Sequence, residues 1–196
     1  MTKADYFTLG NLKESFTTVA KSIAVYDEYR NYIIDRLWKV KLRHWDLDVR
    51  VLSSQSLHLL AKQDSSYIFK QVLPQLCNSC CDKNFQVRHG AILGVAEIVL
   101  DNSSFSSRSG EWSRELESTV VELPAKIEDS RLYRGRGGEQ IRAAVCRLIE
   151  CISLSKLNLS IKQQVSISKM NMFEITFSFS TCHFTIFYSS SLTFHR

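Results

Sequence analysis

The chain has 196 residues, enough for one domain or for part of a larger one. It is 44% hydrophobic and 23% charged, with 7 Gly and 2 Pro, which excludes collagen-like, linker-like and wholly disordered classes. The net charge of +5 is small and no basic stripe or recognisable module accompanies it, so nucleic acid is not an expected partner.

Residues 1–11 read as an irregular N-terminal segment, and a helical-repeat domain is expected over 12–158. Phe16, Val19, Ala20, Ile23 and Ala24 recur at three- and four-residue spacing, as a half-buried helix requires. Asp27 breaks or caps that helix. Tyr29, Ile33, Leu37 and Trp38 mark the buried side of a second one, which runs to about Leu42. His44-Trp45-Asp46 forms a corner, where Asp46 or Asp48 can accept the orphan amides of the next helix. That helix is expected over Val49 to Ala61, with Val49, Leu52, Ser53, Ser56, Leu57 and Leu60 facing inward.

Asp64 to Ser66 is a further capping cluster, followed by an apolar helix that Pro74 kinks or divides. Asp82 to Asn84 turns the chain into a very apolar helix that opens at Phe85 or Val87. An inserted loop is expected at about 101–111, which is Ser-rich. A helix resumes near Trp112, with its continuity threatened at Pro124. Arg131 to Gln140 reads as a long glycine-bearing corner, and Ile141 to Ser153 as a strong last helix.

The tail, 159–196, changes character. Phe173, Ile175, Phe177 and Phe179 alternate with polar residues, a period of two that suits a strand. The fold class that follows is all-α: a HEAT/armadillo-like helical-repeat solenoid fragment with an irregular or weakly β-forming C-terminal tail.

The repeat signal is a Val/Ile-Arg pair opening an apolar helix. It occurs at Val49-Arg50, Val87-Arg88 and Ile141-Arg142. Removing the inserted residues from the longer interval restores a period near 40, as in stacked helical repeats. Asp46, Arg50, Asp82, Arg88 and Arg142 are therefore expected as structural repeat positions. A carboxylate at the corner could bridge to the arginine fork of the same or the next unit.

Chemistry-bearing motifs are sparse. Cys77, Cys80 and Cys81 crowd one helix, but a structural zinc site needs four convergent ligands and no second pair is suitably spaced. Cys146 and Cys151 sit in another apolar helix, and the six cysteines fit a reducing compartment better than a disulfide framework. His44 and His89 stand beside helix starts and read as packing or hydrogen-bonding groups at repeat junctions. Arg134-Gly135-Arg136-Gly137-Gly138 lacks the phosphate-loop spacing and a preceding strand. No catalytic residue, cofactor site or metal site is expected. Arg131, Arg134 and Arg136 are candidates for contact with an acidic protein partner, and a solvated structural loop is the other reading. No secretory leader or membrane-spanning stretch is expected from the pattern.

Several stretches together resemble the family of tubulin-specific chaperone D. They are Ala4-Asp5-Tyr6-Phe7, His44-Trp45-Asp46, Arg88-His89-Gly90 with Ile92-Leu93, and Ala96-Glu97. The likeness continues through Leu132-Tyr133-Arg134-Gly135, Gly137-Gly138, Arg142, Ala144-Val145-Cys146, Leu148-Ile149-Glu150 and Leu154-Ser155-Lys156, and so spans roughly residues 4 to 160.

The resemblance implies a long HEAT/armadillo-type solenoid that binds β-tubulin after chaperonin release. It implies work with tubulin cofactors C and E and an ADP-ribosylation-factor-like small GTPase, in assembling or dismantling the αβ-tubulin heterodimer. It also implies stimulation of tubulin's GTP hydrolysis and a cytoplasmic, microtubule-associated location. The alternative is a purely structural solenoid segment, or a general interaction scaffold, without direct tubulin contact.

Overall fold

Alternate helices stack on one another through the molecule. The computed structural model describes residues 12–100, 113–133, 135, 137–155 and 157. The described residues form seven helices and no strand. These are α1 (Leu12–Ile23), α2 (Asp27–Lys39), α3 (Leu47–Ala61), α4 (65–79), α5 (Phe85–Leu100), α6 (Arg114–Asp129) and α7 (Gly138–Leu154), with a single 3-10 turn at Lys41–Arg43. The inserted loop at 101–111, the tail from 159 and the first eleven residues lie outside the described residues.

α3 packs on α1, α5 on α3, and α7 on α5, while α2, α4 and α6 lie against this inner row. Side-chain bonds fix the register. Arg50 meets His89 and His58 meets the Glu97 carbonyl, both 39 residues apart. A constant offset at two points eight residues apart means α3 and α5 run in the same direction. Between α5 and α7 the offset is 50 residues, from Glu97 to Arg147. The α3–α4 connection takes three residues (62–64), whereas α5 and α6 are joined by thirteen (101–113). Most of the added length therefore lies in that one connection.

The serines of α3 explain how tightly this row closes. Ser53, Ser54 and Ser56 are buried. Their hydroxyls return to the carbonyls of Val49, Val51 and Leu52 at 2.6, 2.8 and 2.9 Å, so no polar hydrogen is stranded. α3 has neighbours on several sides and buries more than a single stripe, which moves its inward face away from the sequence expectation. Arg50, Ser54 and Ala61 are buried, while Val49 and Leu52 are only half-buried. α3 also starts two residues early, at Leu47, because Asp46 accepts from the amides of Asp48 and Val49 at 2.8 and 3.4 Å. Tyr29, expected inward, is 52% exposed, and Ile34 takes its place in the core.

The two prolines are handled differently. Pro74 follows a π-helical stretch, Ile68–Val72, between α-helical turns at Ser65–Tyr67 and Leu73–Ser79. The widened turn lets the proline ring pass the carbonyl four residues back. Pro124 sits inside an unbroken α6, buried beside Leu123. One lost backbone bond there is outweighed by the packing of Val120, Val121, Leu123 and Ile127.

α5 is apolar all round and is the helix most enclosed by others. Its Gly90 and Gly94 form a groove into which the α2–α3 corner descends. A Cβ at Gly90 would lie 1.7 Å from the Leu42 carbonyl oxygen, so backbone touches backbone at this point. Leu42 is 1% exposed, a burial that contributes about 1.5–3 kcal/mol. This contact sets the height of His44, Trp45 and Asp46 above the stack.

Candidate protein-binding edge

Arg50 is the polar centre of the corner edge and is 1% exposed. Its Nη1 donates to the carbonyls of His44 and Trp45 at 2.8 and 2.9 Å. Its Nε donates to Nδ1 of His89 at 3.1 Å, and its Nη2 to Oε1 of Gln140 at 3.2 Å. The guanidinium also lies 5.6 Å from the centre of the Phe85 ring. One side chain thus joins the starts of α3, α5 and α7. Burial lowers the Arg50 pKa and the nearby Asp46 charge opposes that shift.

His89 accepts from Arg50, so its neutral form is the one the site holds. Burial first, and the Arg50 charge second, push its pKa down to about 4. A folded pKa below the ordinary value near 6.5 makes this stability complete above pH 6.5, with loss as pH falls toward 4. We expect unfolding free energy to drop by up to about 3 kcal/mol across that window, at about 1.4 kcal/mol per pH unit. Urea melts of the chain and of His89→Phe between pH 7 and pH 4 check this. Equal slopes in both would show that His89 does not carry the effect.

The corner arginines are answered by carbonyls rather than by corner carboxylates. Arg88 is half-buried and its Nη1 donates to the backbone oxygens of Asp82 and Lys83. The Asp46 carboxylate is occupied as a helix cap. Asp82 accepts from the Asn84 amide at 2.7 Å. Carbonyls at a turn are already oriented toward the fork and need no side-chain ordering, whereas a carboxylate at the same place is used for capping. Arg142 is exposed on α7 and does not share the Arg50 position. Across the stack His89 and Gln140 are the groups that meet Arg50. Arg131 is exposed with a backbone φ of 51°, and Arg134 and Arg136 lie outside the described residues.

A second polar pair joins α5 to α7. Arg147 Nε donates to Glu97 Oε1 at 2.9 Å, and its Nη1 to Glu150 Oε2 at 2.8 Å. Burial opposes the charge on Arg147, but the bonds from Glu97 and Glu150 outweigh it and raise its pKa. With Glu97 nearly buried, a double-mutant cycle of Glu97→Gln and Arg147→Met is expected to give a coupling of about 1–2 kcal/mol in denaturant melts. A coupling near zero would mean that the pair only solvates itself.

The thiols are quiet. Burial pushes Cys77 and Cys151 up to about 12 and Cys80 well above its ordinary range, so these groups stay protonated. Among the described residues no three His, Cys, Asp or Glu side chains converge as metal ligands. No helix there is long and apolar enough to cross a membrane.

What the edge offers to a partner lies above Arg50. The α2–α3 corner (Val40, Arg43, His44, Trp45) and the start of α5 (Asn84, Gln86, Val87) face each other across an open cleft of about 500 Å³. Trp45 is 77% exposed, with its ring 5.3 Å from the His44 ring. Sequence reading placed Trp45 at a corner but missed its exposure. A large aromatic beside a cap, where an inward stripe has not yet begun, was the available signal.

No family model matches the sequence, and no solved structure matches it. A curated protein of Dictyostelium discoideum is 31% identical over 161 residues. The chain is similar to tubulin-specific chaperone D. The aligned stretch is 81% of this chain but 11% of that protein, so the chain spans about a tenth of that relative's length. The relation to tubulin-specific chaperone D is distant, at the level of family.

Proposed function

We propose that this chain is a segment of a tubulin-binding chaperone scaffold of HEAT/armadillo type, acting in post-chaperonin tubulin folding and heterodimer assembly. The similarity to tubulin-specific chaperone D over 161 residues carries the reading. The stacked helices support it, because successive corners in register present side chains across a wide surface. On this reading the chain works in the cytoplasm, at microtubules, and contributes to holding β-tubulin while tubulin cofactors C and E and an ADP-ribosylation-factor-like small GTPase engage the complex. GTP hydrolysis would use the nucleotide bound to tubulin, and the scaffold would act by positioning.

Capture of purified tubulin by the immobilised full chain tests this. The expected result is retention of tubulin above a heat-unfolded control. No retention by a chain with native helicity would remove direct contact from this segment and leave the purely structural solenoid reading.

A further inference from the structure

We propose that the cleft between the α2–α3 corner and the start of α5 is a docking groove for a linear peptide of a partner protein, one that carries a carboxylate beside an apolar or aromatic side chain. The proposal rests on the scaffold reading above but not on tubulin being the partner. Three observations define the occupant.

The first is charge. Lys39, Lys41 and Arg43 fall within five residues that contain no acid. Lys39 is engaged by Asp35 at 2.7 Å. Arg43 is exposed, lines the cleft, and has no side-chain partner among the described residues. A guanidinium free at the mouth of a cleft suits a carboxylate held by two parallel bonds.

The second is the aromatic face. Trp45 stands 77% exposed next to Val40, itself 41% exposed, and both line the cleft. An indole in that setting gives an apolar or aromatic side chain a rigid surface at little entropic cost. The third is the opposite wall. The side-chain Oδ1 of Asn84 already accepts from the backbone amides of Gln86 and Val87 at 2.9 and 3.2 Å. Its NH2 group, together with the side-chain carboxamide of Gln86, is left to meet the backbone of an extended chain. The cleft is wide open and not enclosed, which suits an extended chain laid along it better than a small molecule.

Nucleic acid fits worse. Asp46, Asp48 and Asp82 stand on the same edge, which therefore lacks the continuous basic track that a phosphate backbone needs.

The test is a random dodecapeptide phage library panned against the immobilised full chain, with enriched peptides resynthesised and measured by fluorescence anisotropy. Arg43→Glu and Trp45→Ala are the variants. Both side chains are exposed, so thermal melts within about 2 °C of the parent are expected and serve as the folding control. The expected result is enrichment of Asp or Glu next to Trp, Phe or Leu, with affinity at least 10-fold lower in each variant.

Failure to enrich any peptide, enrichment of sequences without acids, or unchanged binding by both variants would each overturn the groove. Binding of a (dT)20 oligonucleotide that both variants lose would overturn it in favour of nucleic acid. Tubulin capture separates the two readings. If peptides bind as expected and tubulin is not captured, the groove stands and the tubulin reading fails. If no acidic peptide is enriched and tubulin is captured equally by parent and variants, the groove fails and the tubulin reading stands.

Discussion

Arg50→Met is expected to lower the unfolding free energy by about 4 kcal/mol, the largest loss for any single polar substitution on the corner edge. Methionine fills much of the same space, so the loss is one of bonds and not of packing. The carbonyls of His44 and Trp45, Nδ1 of His89 and Oε1 of Gln140 would all lose their donor at once. A buried acceptor left alone costs about 1–3 kcal/mol, and water reaching the edge repairs some of the four. Arg50→Lys is expected to fall between, at about 2 kcal/mol, because one ammonium can reach the two carbonyls but not the histidine and the glutamine as well. At roughly 2–4 °C per kcal/mol, the methionine variant should melt about 10 °C lower. Denaturant and thermal melts of the three proteins decide the matter. A methionine variant within 1 kcal/mol of the parent would mean that the fork is not what holds the corners.

The second large effect sets packing against propensity. Alanine is a better helix former than glycine by about 1 kcal/mol, so Gly90→Ala should stabilise α5 if the helix stood alone. The new Cβ would lie 1.7 Å from the Leu42 carbonyl oxygen, where the obstacle is backbone and cannot rotate away. Destabilisation of about 3 kcal/mol is expected, at the upper end for overpacking. Gly94→Ala is the informative companion. Its nearest neighbours are the Cδ1 atoms of Leu42 at 2.8 Å and Leu76 at 3.1 Å, both ends of flexible side chains. Its cost should stay below about 1 kcal/mol. Equal losses at both positions would argue that helix flexibility, not contact with the corner, makes glycine necessary.

Much of this architecture could be read from residue order. The three- and four-residue spacing of apolar side chains gave helices at nearly every place where they occur, Asp46 and Asp64 could be recognised as caps by residue type and position, and Asp82 to Asn84 as a turn. The repeated Val-Arg pair pointed to stacking, yet it misassigned the equivalent residues. Arg88 and Arg50 are 38 apart, whereas the helices pair at 39, so His89 and not Arg88 faces Arg50. A one-residue difference turns a helical side chain by about 100°, which a motif count cannot detect.

The role of Gln140 could not be read either, because it depends on a neutral amide 90 residues away meeting the last free nitrogen of Arg50. Likewise the Glu97–Arg147 pair is invisible in sequence, since its two members stand 50 residues apart on different helices. The exposure of Trp45 followed from the depth to which Leu42 sinks between Gly90 and Gly94, a property of packing and not of the corner itself.

The reach of Arg50 to Gln140 has a thermodynamic consequence. In an array where each unit touches only the next, the outermost unit can fray while the others persist. Here a side chain of α3 also grips α7, two places along the inner row. Loss of α7 therefore strips a bond from α3, which couples the opening of the two. Amide protons near the starts of α3 and α7 should exchange with a common opening free energy, and Gln140→Ala should let α7 open alone.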